Sequence, residues 1–293
     1  MFKESKLKDN QKAIVYILIS ALAFTLMSTV VKLAKDIPIY EKVFFRNIIN
    51  LIIAVNILKR DKISFWGEKK NRKYLVIRGV LGLLGVVCNF YAVTQMNLSD
   101  ASMLFNLTPF FVTLFAIFFL GERILKIEYI SLISAFIAVL LVIKPQFNMG
   151  IIGGVVGIIG AACAGGAYTL VSHINKKENP VTIVFYFTFV SVILMTPFMI
   201  FNFVKPNMIE LLLLILVGIF ASVGQFMVTL AYKYGKPSEV AIYNYTSIVF
   251  AIAIGFGIWK EVPDKWSILG SIILIGTGIN LYIQKRKVLI NFK

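Results

Sequence analysis

The segment GVLGLLGVVCNFYAVTQMNLSD, residues 79–100, and the segment GIFASVGQFMVTLAYKYGKPSE, residues 218–239, stand 139 positions apart and share a pattern. Under that ungapped shift Gly79 falls on Gly218, Gly85 on Gly224, Ala92 on Ala231, Ser99 on Ser238 and Asp100 on Glu239. The register continues beyond the quoted stretch, where Glu122 meets Glu261 and Lys126 meets Lys265. The first spans match the later ones less closely, with Thr29 on Thr169 at a shift of 140. Small, acidic and boundary residues recurring in register across two apolar runs and a loop mark an internal repeat, and a repeat constrains architecture before any local motif does.

Both quoted segments lie in long apolar runs. A bilayer core of ~30 Å takes about 20 apolar residues of helix, and ten stretches meet that length: 12 to 34, 40 to 58, 74 to 95, 99 to 120, 125 to 143, 151 to 173, 181 to 202, 209 to 231, 239 to 259 and 265 to 283. Helix-stopping chemistry separates them, for example Pro38, Lys144-Pro145, Lys205-Pro206 and Pro263-Asp264. Five spans per half is an odd number, so the second half enters the membrane in the opposite sense to the first. The expected fold is therefore all-α and integral to the membrane, with ten transmembrane helices as two inverted five-helix repeats, residues 1–145 and 146–293. Many secondary transporters are built this way, with the substrate near the midplane between the halves.

Composition agrees. The 293 residues are 59% hydrophobic and 15% charged, against roughly 45–50% and about 25% in soluble domains. The net charge of +16, from 30 Lys and Arg against 14 Asp and Glu, would suggest nucleic acid if it lay on one soluble face. It is instead scattered between apolar runs. With the N-terminus inside, the inner segments carry 21 of the basic residues, the outer ones six and the spans three. Basic residues are retained on the cytoplasmic side, so both termini are expected there, in a multi-pass protein of the cytoplasmic (inner) membrane. The first apolar run exceeds the 7–15 residues typical of a signal-peptide core and is expected to remain as the first helix.

Catalytic and metal chemistry find little support. His173 is the single histidine, the two cysteines Cys88 and Cys163 both lie in apolar runs, and no HExxH or G-x-S-x-G motif occurs, so neither a hydrolase nor a paired-Cys metal site is indicated. No cofactor, metal or nucleic-acid partner is expected. The expected partners are a small-molecule substrate and membrane lipid, in a monomer or homodimer.

Ionisable groups within a bilayer are functional candidates by default. Arg46 lies about six residues into the second span, ~9 Å deep at the rise of an α-helix, where a guanidinium would grip a carboxylate or phosphate bidentately. The alternative is a structural pair with Glu41 or Asp36. Lys32 lies near the outer end of the first span, within snorkelling reach of the interface. Arg78, close to the basic stretch 59 to 73, reads as an interfacial anchor. Uncharged polar residues on several spans add a candidate cavity lining: Asn89, Asn106, Tyr168, Tyr186, Gln225, Tyr243 and Asn244 are the expected substrate contacts beside Arg46 and Lys32. Their bland role is interhelical hydrogen bonding, worth about 0.6 kcal/mol each.

Phe119-Leu120-Gly121-Glu122-Arg123, closing the fourth span, resembles the Leu-Gly-Glu turn of the drug/metabolite transporter superfamily in its ten-helix EamA branch. Ile258-Trp259-Lys260-Glu261-Val262-Pro263 stands at the same place in the second half, keeping the Glu and losing the Gly. Trp266, Gly270, Gly276 and Gly278 resemble the family's last helix. Lys32, Pro38 and Phe44-Phe45-Arg46 resemble its first helix pair, especially in the subgroup of S-adenosylmethionine and riboflavin carriers. The resemblance implies a secondary transporter of a small polar organic metabolite, an amino acid or derivative of the S-adenosylmethionine kind, working by alternating access around a central cavity. Glu122 and Glu261, carboxylates at helix ends on opposite faces of the membrane, are expected to be structural at the turns, binding backbone N–H groups of the next helix start, with proton coupling as the alternative. A membrane-embedded lipid or isoprenoid-carrier binding protein, or flippase, is the alternative.

Overall fold

The computed structural model describes residues 2–121, 129–130, 133–134, 136–138, 141, 150–174, 178–235 and 240–291. The expected fifth span, 125 to 143, together with Glu122, Ser238 and Glu239, lies largely outside the described residues. The others form α1 (Phe2–Leu33), α2 (Ile39–Arg60), α3 (Arg72–Gln95), α4 (Leu98–Phe105), α5 (Thr108–Leu120), α6 (Gly150–Ile174), α7 (Pro180–Asn202), α8 (Met208–Tyr234), α9 (Thr246–Trp259) and α10 (Lys265–Asn291). Short 3-10 turns cover Lys69–Asn71 and Ala241–Tyr245. No strand occurs among the described residues. Six stretches among them are long and apolar enough to cross a membrane, with the shorter Tyr243–Trp259 beside them. Bulky apolar side chains such as Phe201, Phe119 and Ile200 point outward, a surface suited to lipid rather than water.

The helix ends follow from local sequence. Pro180 sits at the first turn of α7, where its missing N–H costs nothing, and Asn179 accepts the Val181 N–H at 2.9 Å. Asn207 and Glu210 form a reciprocal capping box at the start of α8, satisfying two orphan backbone donors. The expected fourth span is two helices, α4 and α5. Pro109 has no N–H to give Phe105 O, and Thr108 Oγ1 donates to that carbonyl instead at 2.6 Å. The expected ninth span breaks at the corresponding place without a proline. There Ser247 Oγ donates to Asn244 O at 2.7 Å, and Thr108 and Ser247 are 139 positions apart.

The same correspondence runs through the packing. α1 packs on α8 as α3 packs on α6; α2 packs on α8 as α3 packs on α7; α2 meets α7, and α4 meets α9. At the first pair of interfaces a Cβ on Gly85 would stand 3.2 Å from Ala164 N, and one on Gly224 would stand 2.7 Å from the Phe24 ring. Gly79 abuts Val190 on α7, while Gly218 abuts Ile49 on α2. The repeated glycines are therefore points of close approach between the halves, the use that small residues have between helices in lipid.

One difference between the halves has an energetic consequence. α5 ends at Gly121 with φ 64°, and α9 ends at Lys260 with φ 57°. The left-handed conformation costs a side-chain-bearing residue roughly 1–2 kcal/mol. Lys260→Gly is therefore expected to raise stability by about 1 kcal/mol, read as a higher melting temperature in detergent.

Candidate functional site

Loop contacts hold the bundle at both ends. Glu41, at the start of α2, accepts the Val204 N–H at 2.7 Å and so ties down the α7–α8 connection. Glu178, just before α7, does the same for the α2–α3 connection, accepting from Glu68 N and Asn71 Nδ2 at 2.8 Å each. Thr182 Oγ1 and Tyr186 OH donate to Ser64 O and Trp66 O in the same loop, at 2.9 and 3.1 Å. Two aromatic residues of the basic 59 to 73 stretch meet α7 here, Phe65 and the exposed Trp66 both edge-on to Phe185. Glu178→Ala would leave two donors without their charged acceptor, and a stability loss of about 1–3 kcal/mol is expected. Faster trypsin cleavage within 62 to 73 would accompany it.

Lys32 belongs to another tie. Its Nζ pairs with Glu261 Oε1, donates to Met96 O at 3.3 Å and lies 5.0 Å from the centre of the Trp259 ring. Glu261 Oε2 accepts the Leu98 N–H at 3.1 Å. One ion pair thus joins the end of α1, the α3–α4 corner and the α9–α10 connection. Glu261 makes these contacts from the α9–α10 connection; Lys32 is its partner and does not line the central cavity.

A central cavity of about 80 Å³ lies between α1, α2, α3, α4, α6, α7, α8 and α9. Arg46, Asn89, Asn106, Tyr168, Gln225 and Asn244 are in its wall, as expected, whereas Lys32, Tyr186 and Tyr243 are not. Tyr186 is instead spent on the Trp66 carbonyl. Arg78 is the main correction: it is 2% exposed and lines the cavity, not the interface. The signal was present in the sequence, because Arg78, Gly82, Gly85 and Asn89 follow one face of a helix. Phe187 on α7 was also missed, since nothing separates one phenylalanine of an apolar run from another.

The two arginines converge on that ring. Arg46 from α2 has its Cζ 5.2 Å from the Phe187 centre, and Arg78 from α3 has its Cζ 4.2 Å away. Arg46 is likewise 2% exposed, and its Nη1 donates to Asn47 Oδ1 at 2.9 Å. Arg46 Nε, Arg78 Nε and Arg78 Nη1 are buried with no hydrogen-bond acceptor. The structural pairing of Arg46 with Glu41 or Asp36 does not occur: Glu41 is on Val204, and Arg46 forms no ion pair with either. The wall also carries uncharged polar groups. Asn106 Nδ2 donates to Ser247 Oγ at 2.7 Å, and Gln225 Nε2 donates to Thr229 Oγ1 at 3.2 Å. Two guanidiniums together with a few amides and hydroxyls in a largely apolar chamber can hold an anionic or zwitterionic solute. Among the described residues no cluster of His, Cys, Asp or Glu could hold a metal ion.

The model of the EamA-like transporter family matches this chain twice, over residues 11–144 and 151–282. The chain belongs to that family. This EamA-like transporter is 32% identical to the pseudopaline exporter CntI of Pseudomonas aeruginosa strain UCBPP-PA14, over 92% of the chain and 95% of that protein. It is 26% identical to the human solute carrier family 35 member G1, covering 92% and 78%. With the S-adenosylmethionine uptake transporter of Rickettsia conorii the figures are 25% identity, 85% and 84%. A solved crystal structure at 15% identity superimposes with a TM-score of 0.69, over 98% of this chain and 99% of the other, and shows the shared fold. The protein is a multi-pass membrane transporter of small metabolites, and not an enzyme.

Proposed function

We propose that this EamA-like transporter carries a small polar organic metabolite with an anionic group, such as an amino acid or derivative, across the cytoplasmic membrane. The observation that carries this reading is the pair of buried arginines in the central cavity, which have no acidic partner among the described residues. Unpaired buried charge is costly, and a bound carboxylate offsets that cost where no side chain does. Relatives named for pseudopaline and S-adenosylmethionine are consistent with metabolites of this general size. The lipid-carrier alternative would favour a chamber free of buried charge, which makes it the weaker reading.

The mechanism proposed is alternating access by residues 1–145 and 146–293, with both termini cytoplasmic. A cavity of about 80 Å³ has room for only a handful of waters, so loading requires the helices to part. The face closed by Lys32 and Glu261 is then the outer one. Opening there breaks that ion pair, and opening on the other face parts the helices around Tyr168 and Tyr232, whose rings lie 5.4 Å apart.

Counterflow in proteoliposomes, with substrates first selected by thermal shift on purified protein, tests the assignment. Arg46→Gln is expected to raise KM for an anionic solute by about tenfold or more, the worth of one charge-assisted contact. Lys32→Gln, off the cavity, is expected to alter the maximal rate with little change in KM. Unchanged KM in Arg46→Gln would remove the cavity arginine from substrate recognition.

A further inference from the structure

We infer that the substrate carries two negative charges, and that Arg46 and Arg78 are engaged together. This rests on the reading of the central cavity as the substrate site and makes it more specific. Both guanidiniums are 2% exposed, arrive from different helices and share one aromatic ring. The face of Phe187 attracts a cation by only about 0.5–2 kcal/mol, well short of what burying a charge costs. Two cations on one ring also repel each other through a medium that screens poorly.

Among the described residues, side chains do not supply the missing charge: the cavity wall contains Arg46 and Arg78 and no aspartate or glutamate. Four carboxylates near the ends of its helices are engaged elsewhere: Glu41 accepts from Val204 N, Glu178 from the α2–α3 loop, Glu261 pairs with Lys32, and Asp100 accepts from Ser267 Oγ at 2.9 Å. Three fully buried donor nitrogens on the two arginines have no acceptor: Arg46 Nε, Arg78 Nε and Arg78 Nη1. A single carboxylate that takes one guanidinium bidentately leaves the other without a counterion. A doubly charged anion satisfies both, whether through two carboxylates or through a phosphate monoester. The remaining wall groups, among them Asn89, Gln225 and Asn244, are suited to the uncharged polar body of such a molecule.

The test is a matched series on the purified full-length protein. Glutarate is compared with butyrate, glutamate with glutamine, and glycerol 3-phosphate with glycerol, by thermal shift and then by counterflow of whichever compound binds. In each pair the compound with two negative charges is expected to bind at least about tenfold more tightly than its matched analogue with one or none. That preference is expected to disappear in Arg46→Gln and in Arg78→Gln alike, because either change leaves one cation. Stabilisation by glycerol 3-phosphate and not by glutarate or glutamate would identify the phosphate as the dianion. Equal binding of mono- and dianions, still weakened by Arg46→Gln, overturns the two-charge proposal and leaves the cavity as an anion site. Binding of neutral compounds alone, unaffected by either arginine substitution, overturns the cavity assignment as well.

Discussion

Arg78→Met is expected to abolish measurable transport of an anionic substrate while raising the melting temperature of the protein. The two effects have one cause. Arg78 is fully surrounded, its Nε and Nη1 have no acceptor, and its compensation from the protein is the face of Phe187 at 4.2 Å. Replacing buried ionic groups by apolar residues of similar volume is often neutral or stabilising by about 1–4 kcal/mol, and methionine fills the space flexibly. The charge-assisted hydrogen bonds lost to the substrate are worth about 1.5–3 kcal/mol each, or roughly 10- to 100-fold apiece. Detergent melts and proteoliposome counterflow on the same preparation read both quantities. A merely structural arginine predicts the opposite sign for stability. A variant that melts lower and transports less would therefore remove Arg78 from the binding site and make it part of the scaffold.

Gly165→Leu should prevent accumulation of folded protein. A Cβ at Gly165 would lie 2.5 Å from Phe111 Cβ and 3.1 Å from Val112 N, both on α5. Neither is the end of a flexible chain that can swing aside, so the two helices would have to separate. Thr169 Oγ1, one turn further on, reaches Val112 O at 3.4 Å and would lose that contact. Overpacking a close-fitted site costs about 1–3 kcal/mol and sometimes more, a large part of a stability of ~5–15 kcal/mol. Gly276→Ala is the control, because no heavy atom lies within 4 Å of a Cβ there. Within a helix that change gains up to about 1 kcal/mol. Size-exclusion profiles from detergent extracts distinguish the two, and a normal monodisperse peak for Gly165→Leu would contradict the observed approach of α5 to α6.

Much of this was readable in advance because lipid imposes strict rules. Backbone polar groups in a bilayer must be satisfied within the helix, so an apolar run of sufficient length announces its secondary structure. The expected and observed ends of α2, α3, α6 and α7 agree within two residues. The breaks at Asn106–Leu107 and Ala241–Tyr245 were less visible, since hydroxyl side chains repaired the backbone without interrupting hydropathy. Site residues were legible where a polar group had no alternative use. Asn89, Gln225 and Asn244 reach the cavity, but Tyr186 and Lys32 found partners 120 and 229 positions away.

The repeat separates two kinds of residue. Positions that set packing recur across the shift: Gly79 with Gly218, Gly85 with Gly224, Thr108 with Ser247. Positions that make the cavity polar do not, for under the same shift Asn89 falls on Val228, Gln225 on Val86 and Arg78 on Val217. Equivalent interfaces need the same small residue twice, whereas an asymmetric solute needs different contacts from each half.

By itself the sequence determined that the chain is a bundle of membrane helices, that its two halves are related, and that few ionisable groups lie within the spans. Those properties depend on local hydropathy and on backbone hydrogen bonding, and both are written along the chain. Only the tertiary structure decided which buried cation was already paired. Lys32 met Glu261 and became a fastening, while Arg46 and Arg78 met one phenylalanine ring and, among the described residues, no carboxylate. Charge compensation is a property of neighbours in space, and in this fold those neighbours come from different helices.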